Sequence, residues 1–374
     1  MSANQTAVGL LLEELETPAL CLDLEIFRGN IQRILSFLGR HKLQWRPHMK
    51  GQKAVELAQE AVRAGAIGVT CATLYEAEVF LQGGVQGILI AHQIVGGRKL
   101  MRLARLQRHA PVIAATDSLE HAQAMSRAAL QEGVVIPVVM EVDVGMNRCG
   151  VPAGEPAVAL AREIQKMRGL EWQGVMGWEG HALKPEVKDR AEVVKQALAR
   201  LAETVVALEG AGISCPVVSA SGSGTFLHAA GMAGLTEVQA GGAVFSDVSY
   251  RNWGLDYEFA LTVITRVVSR PTSRRIVVDG GFKAMSTQHG MPLPLGLGRL
   301  QHMAFSAEHG VLELAQEDAC PRVGDLVKFV PGYTDSTLCL HDEICVIRRG
   351  VLEAVWVIPG RTGRRVTAIS APVA

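Results

Sequence analysis

Residues 136–150 read IPVVMEVDVGMNRCG, a nine-residue apolar strand that runs into a glycine-bounded loop. A helical pattern follows at 154–167, and a second strand, WQGVMGW, starts at Trp172. Strand, loop, helix and strand form the repeating unit of a parallel sheet, because parallel neighbours need a long crossover. The same unit recurs on both sides. Strand candidates begin near Leu43, Ile67, Ile88, Val112, Ile136, Trp172, Pro216 and Thr236, eight in all. Helical patterns fill the gaps, clearest at 25–39, 51–64, 74–82, 118–131, 154–167 and 187–210. Eight such units over roughly 210 residues suit a closed (β/α)8 barrel better than an open doubly wound sheet.

Beyond residue 256 the texture changes. Tyr257–Val268 alternates as a strand does, and so do 275–279, 311–314, 326–330, 344–348 and 351–358. Arg349-Gly350 sits between the last two as a hairpin turn. The strand Ala19–Asp23 precedes the first barrel helix and has no barrel slot. The expected fold class is therefore α/β: a TIM-type (β/α)8 barrel at 25–255 and a C-terminal antiparallel β domain at 256–374. Residues 1–24 supply a strand that joins the β domain.

The chain has 374 residues, with 37 Lys+Arg balanced by 37 Asp+Glu. A nucleic-acid-binding surface would show as a basic excess, so no nucleic-acid partner is expected. Hydrophobic residues make up 48% and charged ones 20%, which is globular rather than disordered composition. No apolar run approaches the ~20 residues that span a bilayer, so no membrane partner is expected. The Gly9–Leu12 patch runs into Glu13, Glu14 and Glu16 without a basic leader, unlike a signal peptide. Seven cysteines without a CxxC pair read as free thiols of a reducing, cytoplasmic protein.

In a (β/α)8 barrel the chemistry sits at the C-terminal ends of the strands. The first strand ends in Arg46-Pro47-His48-Met49-Lys50, placing a cation, an imidazole and an amine at the mouth. A lysine there is placed to form a Schiff base, since nearby cations and poor solvation free its amine. Alternation along the fifth strand puts Glu141 and Asp143 on one face, with Arg148 in the loop beyond, able to meet a carboxylate, a phosphate or a ring nitrogen. The sixth strand ends in Trp178-Glu179-Gly180-His181; His181 is either an acid/base or a satisfied core histidine. The seventh and eighth strands run into Ser221-Gly222-Ser223-Gly224-Thr225 and Gly241-Gly242. Two glycine-rich loops at these adjacent ends match the recurrent phosphate site of barrels. A lysine, an arginine and a phosphate cup together fit one cofactor, pyridoxal 5′-phosphate (PLP).

From Thr17-Pro18-Ala19-Leu20 onward, nearly the whole chain resembles the D-threonine aldolase/D-serine dehydratase family, within the alanine-racemase-like (fold-type III) PLP enzymes. The strings that carry the resemblance are RPHMK (46–50), EVDVGMNRCG (141–150), GWEGHAL (177–183), SGSGT (221–225), VDGGFKAMS (278–286) and CLHDEICVIRRGVLEAVWVIPGR (339–361). By resemblance, Lys50 holds the cofactor covalently and Arg148 lies against the pyridine nitrogen. Ser221, Gly222, Ser223, Gly224, Thr225, Gly241 and Gly242 bind the cofactor, the serines and glycines among them cradling its phosphate. Trp178 stands near the cofactor where the family carries tyrosine, which removes a hydroxyl from that place. The resemblance also implies a homodimer and a small amino-acid substrate.

One segment departs from the family. Relatives that need a divalent metal present His-x-Asp or His-x-Cys where this chain reads Tyr333-Thr334-Asp335. Tyrosine is a poor ligand at neutral pH, because its pKa is ~10. Asp335 remains as a weak Mg²⁺ or Mn²⁺ ligand, so metal dependence is in doubt. His341-Asp342 match a family His-Asp pair, and Gln288-His289 fall where relatives tend to carry an acid. The leading expectation is Cα–Cβ cleavage of a D-β-hydroxy amino acid of the D-threonine or 3-hydroxy-D-aspartate type, giving glycine and an aldehyde. Lys50 is then the catalytic lysine, and Tyr333, His181 and Asp335 are the candidate activators of the β-hydroxyl. Three alternatives stand beside it: D-serine-type dehydration, racemisation, and a PLP carrier that turns nothing over.

Overall fold

A computed structural model describes residues 8–184 and 186–362. The chain packs as two compact units. One holds the described residues up to Gln32 together with Gly242–Arg361, and the other is built on Arg33–Gly241. In chain order the strands are β1 (Ala19–Asp23), β2 (Gln44–Trp45), β3 (Thr70–Cys71), β4 (Ile88–Gln93), β5 (Val112–Thr116), β6 (Ile136–Asp143), β7 (Val151–Pro152), β8 (Leu170–Gly177), β9 (Val217–Ala220) and β10 (Glu237–Val238). They continue with β11 (Leu261–Ser269), β12 (Arg275–Val278), β13 (Leu293–Pro294), β14 (Leu300–Phe305), β15 (Gly310–Leu314), β16 (Leu326–Val330), β17 (Glu343–Arg348) and β18 (Val351–Val357).

The Arg33–Gly241 unit is the barrel. Its sheet runs β2-β10-β9-β8-β6-β5-β4-β3, every pair parallel, with short β7 added beside β6. A parallel bridge between His48 and Thr70 closes the circle. Around it the Ile67 amide donates to Trp45 O and the Thr70 amide to Pro47 O, both at 2.9 Å. All eight strands expected from the sequence are present. Leu89, Ala115, Val139 and Met176, one residue each from the neighbouring strands β4, β5, β6 and β8, form a buried apolar cluster.

Three of the crossover helices start on side chains that accept otherwise unpaired first amides. Thr73 caps 74–82, Ser118 caps 119–132 and Asp189 caps 190–210. Each such cap contributes about 1 kcal/mol. Arg46 corrects a sequence expectation. Instead of standing at the mouth, it lies buried, with Nε and Nη2 donating to both Glu237 carboxylate oxygens at 2.8–3.1 Å. Its Nη1 also donates to Gly87 O. Bidentate pairing suits a guanidinium, and this one ties β2 to β10 where the barrel closes.

The other unit is a sheet of order β14-β15-β12-β11-β1-β17-β18, with β16 pairing β11 and β13. β1 runs antiparallel to β11, with Ala19 opposite Ile264, and parallel to β17, with Cys21 opposite Cys345. The sheet is therefore mixed, where a purely antiparallel one was expected. A strand that enters from far upstream in the chain is not bound to the hairpin direction. Arg349 and Gly350 turn β17 into β18 with φ of 50° and 81°, the left-handed pair a two-residue hairpin needs. Leu12, Leu15, Ala19, Cys21, Ile264, Ile347 and Leu352 form a core cluster here. The expected ends of this domain, 1–7 and 363–374, lie outside the described residues. Among the described residues no helix is long and apolar enough to cross a membrane.

Candidate active site

The mouth of the barrel carries most of the residues singled out from the sequence. Lys50 lies exposed in the turn Met49–Gly51 just past β2. Its Nζ is 5.7 Å from the Trp178 ring centroid, within reach of a cation–π contact. Before it, His48 accepts the Lys50 amide on Nδ1 at 3.3 Å. Burial, then the cations Lys50, Arg148 and Lys53, hold His48 well below the ordinary imidazole range. Three cations therefore gather around one neutral ring, a setting that favours an anionic ligand.

Glu141 points inward from β6, as strand alternation requires. Its Oε2 accepts Gln93 Nε2 at 2.6 Å, and Arg148 Nη2 stands 3.7 Å from its Oε1. Burial, the largest influence, raises the Glu141 pKa, with Gln93 and Arg148 opposing it. Gln93 also donates to Asp117, which in turn accepts the Gly150 amide. Gln93 ends β4 and Asp117 directly follows β5, polar residues after apolar runs and so a signal that the sequence offers. Asp143 shares the Glu141 face but serves the loop: its Oδ1 accepts the Gly145 and Asn147 amides at 2.9 and 3.1 Å.

Trp178 follows β8 and lies against two glycines. A Cβ on Gly222 would sit 2.6 Å from the ring, and one on Gly180 2.3 Å from its Nε1. His181 lies in the turn Gly180–Leu183, with Nδ1 buried and without a hydrogen bond. Burial first, then Arg200 and Lys184, lowers its pKa, while Asp143 opposes. A neutral imidazole at neutral pH can accept a proton.

The loop Ser221–Thr225 leaves β9. Ser221 takes φ of 64°, rare for a residue with a side chain, and its Oγ is buried without a hydrogen bond. Thr225 Oγ1 accepts the Gly222 amide at 3.1 Å and holds the loop closed. Ser223 and Thr225 are buried. Gly241 has a packing reason of its own: a Cβ there would lie 2.0 Å from His48 O. Gln52 Nε2 donates to its carbonyl at 2.9 Å.

Gly242 belongs to the other unit, where a Cβ would meet Tyr250 Oη at 2.2 Å. In that unit Tyr333 packs among Tyr250, Trp253 and His289 at centroid distances of 5.8, 6.0 and 5.1 Å. Its hydroxyl donates to Asp335 Oδ2 at 3.1 Å. Burial, then the Asp335 charge, pushes the Tyr333 phenol far above its ordinary range, so it stays protonated. A protonated phenol donating to Asp335 is not a donor set for a divalent cation. Among the described residues no three His, Cys, Asp or Glu side chains converge as a metal site. These residues do not fit a metal. His341 Nε2 lies 2.9 Å from Ala284 O, and the main-chain carbonyl of Asp342 accepts the Ile358 amide. Asp247, unremarked in the sequence, accepts the Tyr250 amide at 2.8 Å and the Thr334 amide at 2.7 Å. Its pKa is pushed up to about 7, burial being the cause that outweighs those hydrogen bonds.

A closed parallel barrel with a lysine past its first strand and a serine–glycine loop past its seventh defines a class. The chain belongs to the alanine-racemase-like, fold-type III family of PLP enzymes, its residues 22–248 matching the model "Alanine racemase, N-terminal domain". Residues 260–347 match the serine dehydratase domain, which narrows the resemblance to the branch of D-threonine aldolases and 3-hydroxy-D-aspartate aldolases. D-threonine aldolase of Arthrobacter sp. is 34% identical over 355 residues, 94% of each chain. 3-Hydroxy-D-aspartate aldolase of Paracoccus denitrificans (strain Pd 1222) is 31% identical over 366 residues, again 94% of each. The crystal structure of D-threonine aldolase from Filomicrobium marinum superposes with a TM-score of 0.90 at 31% identity, covering 95% of this chain and 98% of that one.

The barrel residues fit PLP. Lys50 offers an exposed amine, the ring of Trp178 a flat apolar wall, Gly222 a close backbone approach, and Ser221 a buried hydroxyl still free to hydrogen-bond.

Proposed function

We propose that this protein is a PLP-dependent lyase that cleaves Cα–Cβ of a D-β-hydroxy amino acid, releasing glycine and an aldehyde. Similarity over 94% of the chain to two aldolases of this kind supports the reading most strongly. PLP, when bound, supplies an electron sink for the pair left at Cα as a bond to Cα breaks. Lys50 anchors the cofactor through its amine and afterwards returns a proton to Cα. Arg148, tied to Glu141, would lie against the pyridine nitrogen and disfavour its protonation, since adjacent cations repel. The Ser221–Thr225 loop and the Gly241-Gly242 pair would hold the phosphate, and Trp178 would back the ring.

Cleavage needs a base for the β-hydroxyl proton. His181 suits that role: its ring is neutral and Nδ1 is uncommitted. The electron pair of the O–H bond becomes the new carbonyl as Cα–Cβ breaks, so no hydroxide has to leave. Dehydration does expel hydroxide and gains more from a Lewis acid than cleavage does. Tyr333 and Asp335, engaged with each other, offer no such Lewis-acid site, which favours cleavage on that ground. A homodimer in the cytoplasm, acting on a small amino acid, completes the reading, with free cysteines and the family resemblance as support.

The test is glycine formation from D-threonine and D-3-hydroxyaspartate against their L enantiomers, with cofactor-loaded protein. Glycine from the D series alone is expected. A protein that binds PLP yet forms no product from any of them would be a carrier.

A further inference from the structure

Most buried acids of the barrel have a named partner: Glu76 pairs with Lys53, Glu237 with Arg46, Glu60 with Arg63, and Glu141 with Gln93 and Arg148. Glu179 does not. It is 0% exposed, neither carboxyl oxygen makes a hydrogen bond of full geometry, and no cation pairs with it among the described residues. It stands directly after Trp178, whose ring lies on Gly222, and beside the Ser221 and Thr225 hydroxyls. Ser221 Oγ is buried and equally unpartnered. Two orphaned polar groups therefore meet at the loop read above as the phosphate site.

An isolated buried carboxylate costs many kcal/mol, and the usual outcome is that it takes up a proton. We propose that Glu179 is a positioning residue that stands as a neutral acid, donates its proton to Ser221 Oγ, and keeps the Ser221–Thr225 loop free of negative charge for a dianionic phosphate. The inference rests on the reading of that loop as the PLP phosphate site. The neutral acid frees the serine's own proton for the anion. It also explains why a carboxyl can sit this close to a phosphate loop at all. Burial is the largest influence on Glu179 and raises its pKa, while the Ser221 and Thr225 side chains and the backbone of Glu179 and Ser221 oppose it. The Ser221–Thr225 loop brings no charged side chain. On the Glu179 turn, His181 follows, facing Arg200, Lys184 and Asp143.

The sign follows. Ionising Glu179 at high pH puts a charge beside the phosphate, so affinity falls as pH rises. The probe is pyridoxamine 5′-phosphate, which binds without bonding to Lys50, with pyridoxamine as the control lacking phosphate. Both are titrated into cofactor-stripped wild type, Glu179→Gln and Ser221→Ala between pH 6.5 and 9.5, with thermal melts to verify folding. In wild type the phosphate-specific part of the affinity is expected to fall as pH rises through the ionisation of Glu179, and to fall further than in Glu179→Gln. Glu179→Gln, an uncharged isostere, is expected to bind as well as wild type at low pH and stay nearly flat. The same pH profile in both proteins, or a folded Gln variant without phosphate affinity at any pH, would overturn the proposal. Should the Gln variant not fold, Ser221→Ala decides: weaker binding with a flattened profile supports the assignment, and unchanged binding overturns it. A wild type that binds neither PLP nor pyridoxamine 5′-phosphate would instead refute the cofactor reading beneath it.

Discussion

Lys50 Nζ stands 5.7 Å from the centre of the Trp178 ring, so an amine from the first barrel strand meets an aromatic wall from the sixth. An ammonium on an aromatic face gains roughly 0.5–1 kcal/mol at an exposed site, enough to orient it and too little to trap it. Lys50→Ala removes the amine and leaves the wall. Glycine formation from D-threonine is expected to drop to background, with the cofactor's lysine-bound absorbance band. Stability should fall by no more than about 1 kcal/mol, the scale of the exposed contact that is lost. Melting curves and spectra of the variant check both halves.

Gly222 has no room for a side chain. Its added methyl carbon would lie 2.6 Å from the Trp178 ring. Gly222→Ala is expected to weaken PLP affinity by about tenfold, the scale of a kcal/mol-sized displacement of the loop. Against a Trp178→Ala background the same change should cost less, because the ring no longer crowds it. An equal cost in both backgrounds would show that steric pressure from the ring is not the cause.

Tyr333 donates to Asp335, and burial keeps its phenol protonated. Turnover is therefore expected to survive a strong chelator unchanged. Tyr333→His, which restores a His-x-Asp pattern, should bring chelator sensitivity. Assays of both proteins with and without EDTA decide it; chelator-sensitive wild type would contradict the assignment.

Asp247 caps the helix 248–252 and holds the Thr334 amide, yet its pKa is about 7. An acid whose folded pKa lies above its unfolded value of 3.8 binds more protons when folded, so stability falls as pH rises from about 4 to about 7. Asp247→Asn lacks that fall but loses an acceptor, at a cost of about 1–3 kcal/mol. Its deficit against wild type is expected to be larger at pH 4.5 than at pH 8, by urea melts at both. A deficit that grew with pH would show that Asp247 folds as an ordinary carboxylate.

The barrel was legible because period and count suffice for it. IPVVMEVDV and seven similar runs announce their strands, and hydrophobic spacing announces the helices between them. The parallel seat of β1 beside β17 was not, since strand direction across a sheet depends on partners more than 300 residues away (Cys21 with Cys345) and leaves no local pattern. Lys50, Trp178 and the 221–225 loop were readable from their place at strand ends. Arg46 misled for the same reason: position at a strand end does not say which way a long side chain turns, and a buried carboxylate, Glu237, drew it away. Glu179 and Asp247 could not be singled out, because burial without a cation is what sets them apart, and sequence carries no burial for a lone acid.

Product identity from D-threo-3-hydroxyaspartate is the most direct test of Cα–Cβ cleavage, because this substrate can be split either way. Cofactor-loaded protein is incubated with it and the products are resolved by mass spectrometry. Glycine with glyoxylate, in equal amounts and unaffected by chelator, is the expected result. Oxaloacetate with ammonia would contradict the account and make the protein a dehydratase.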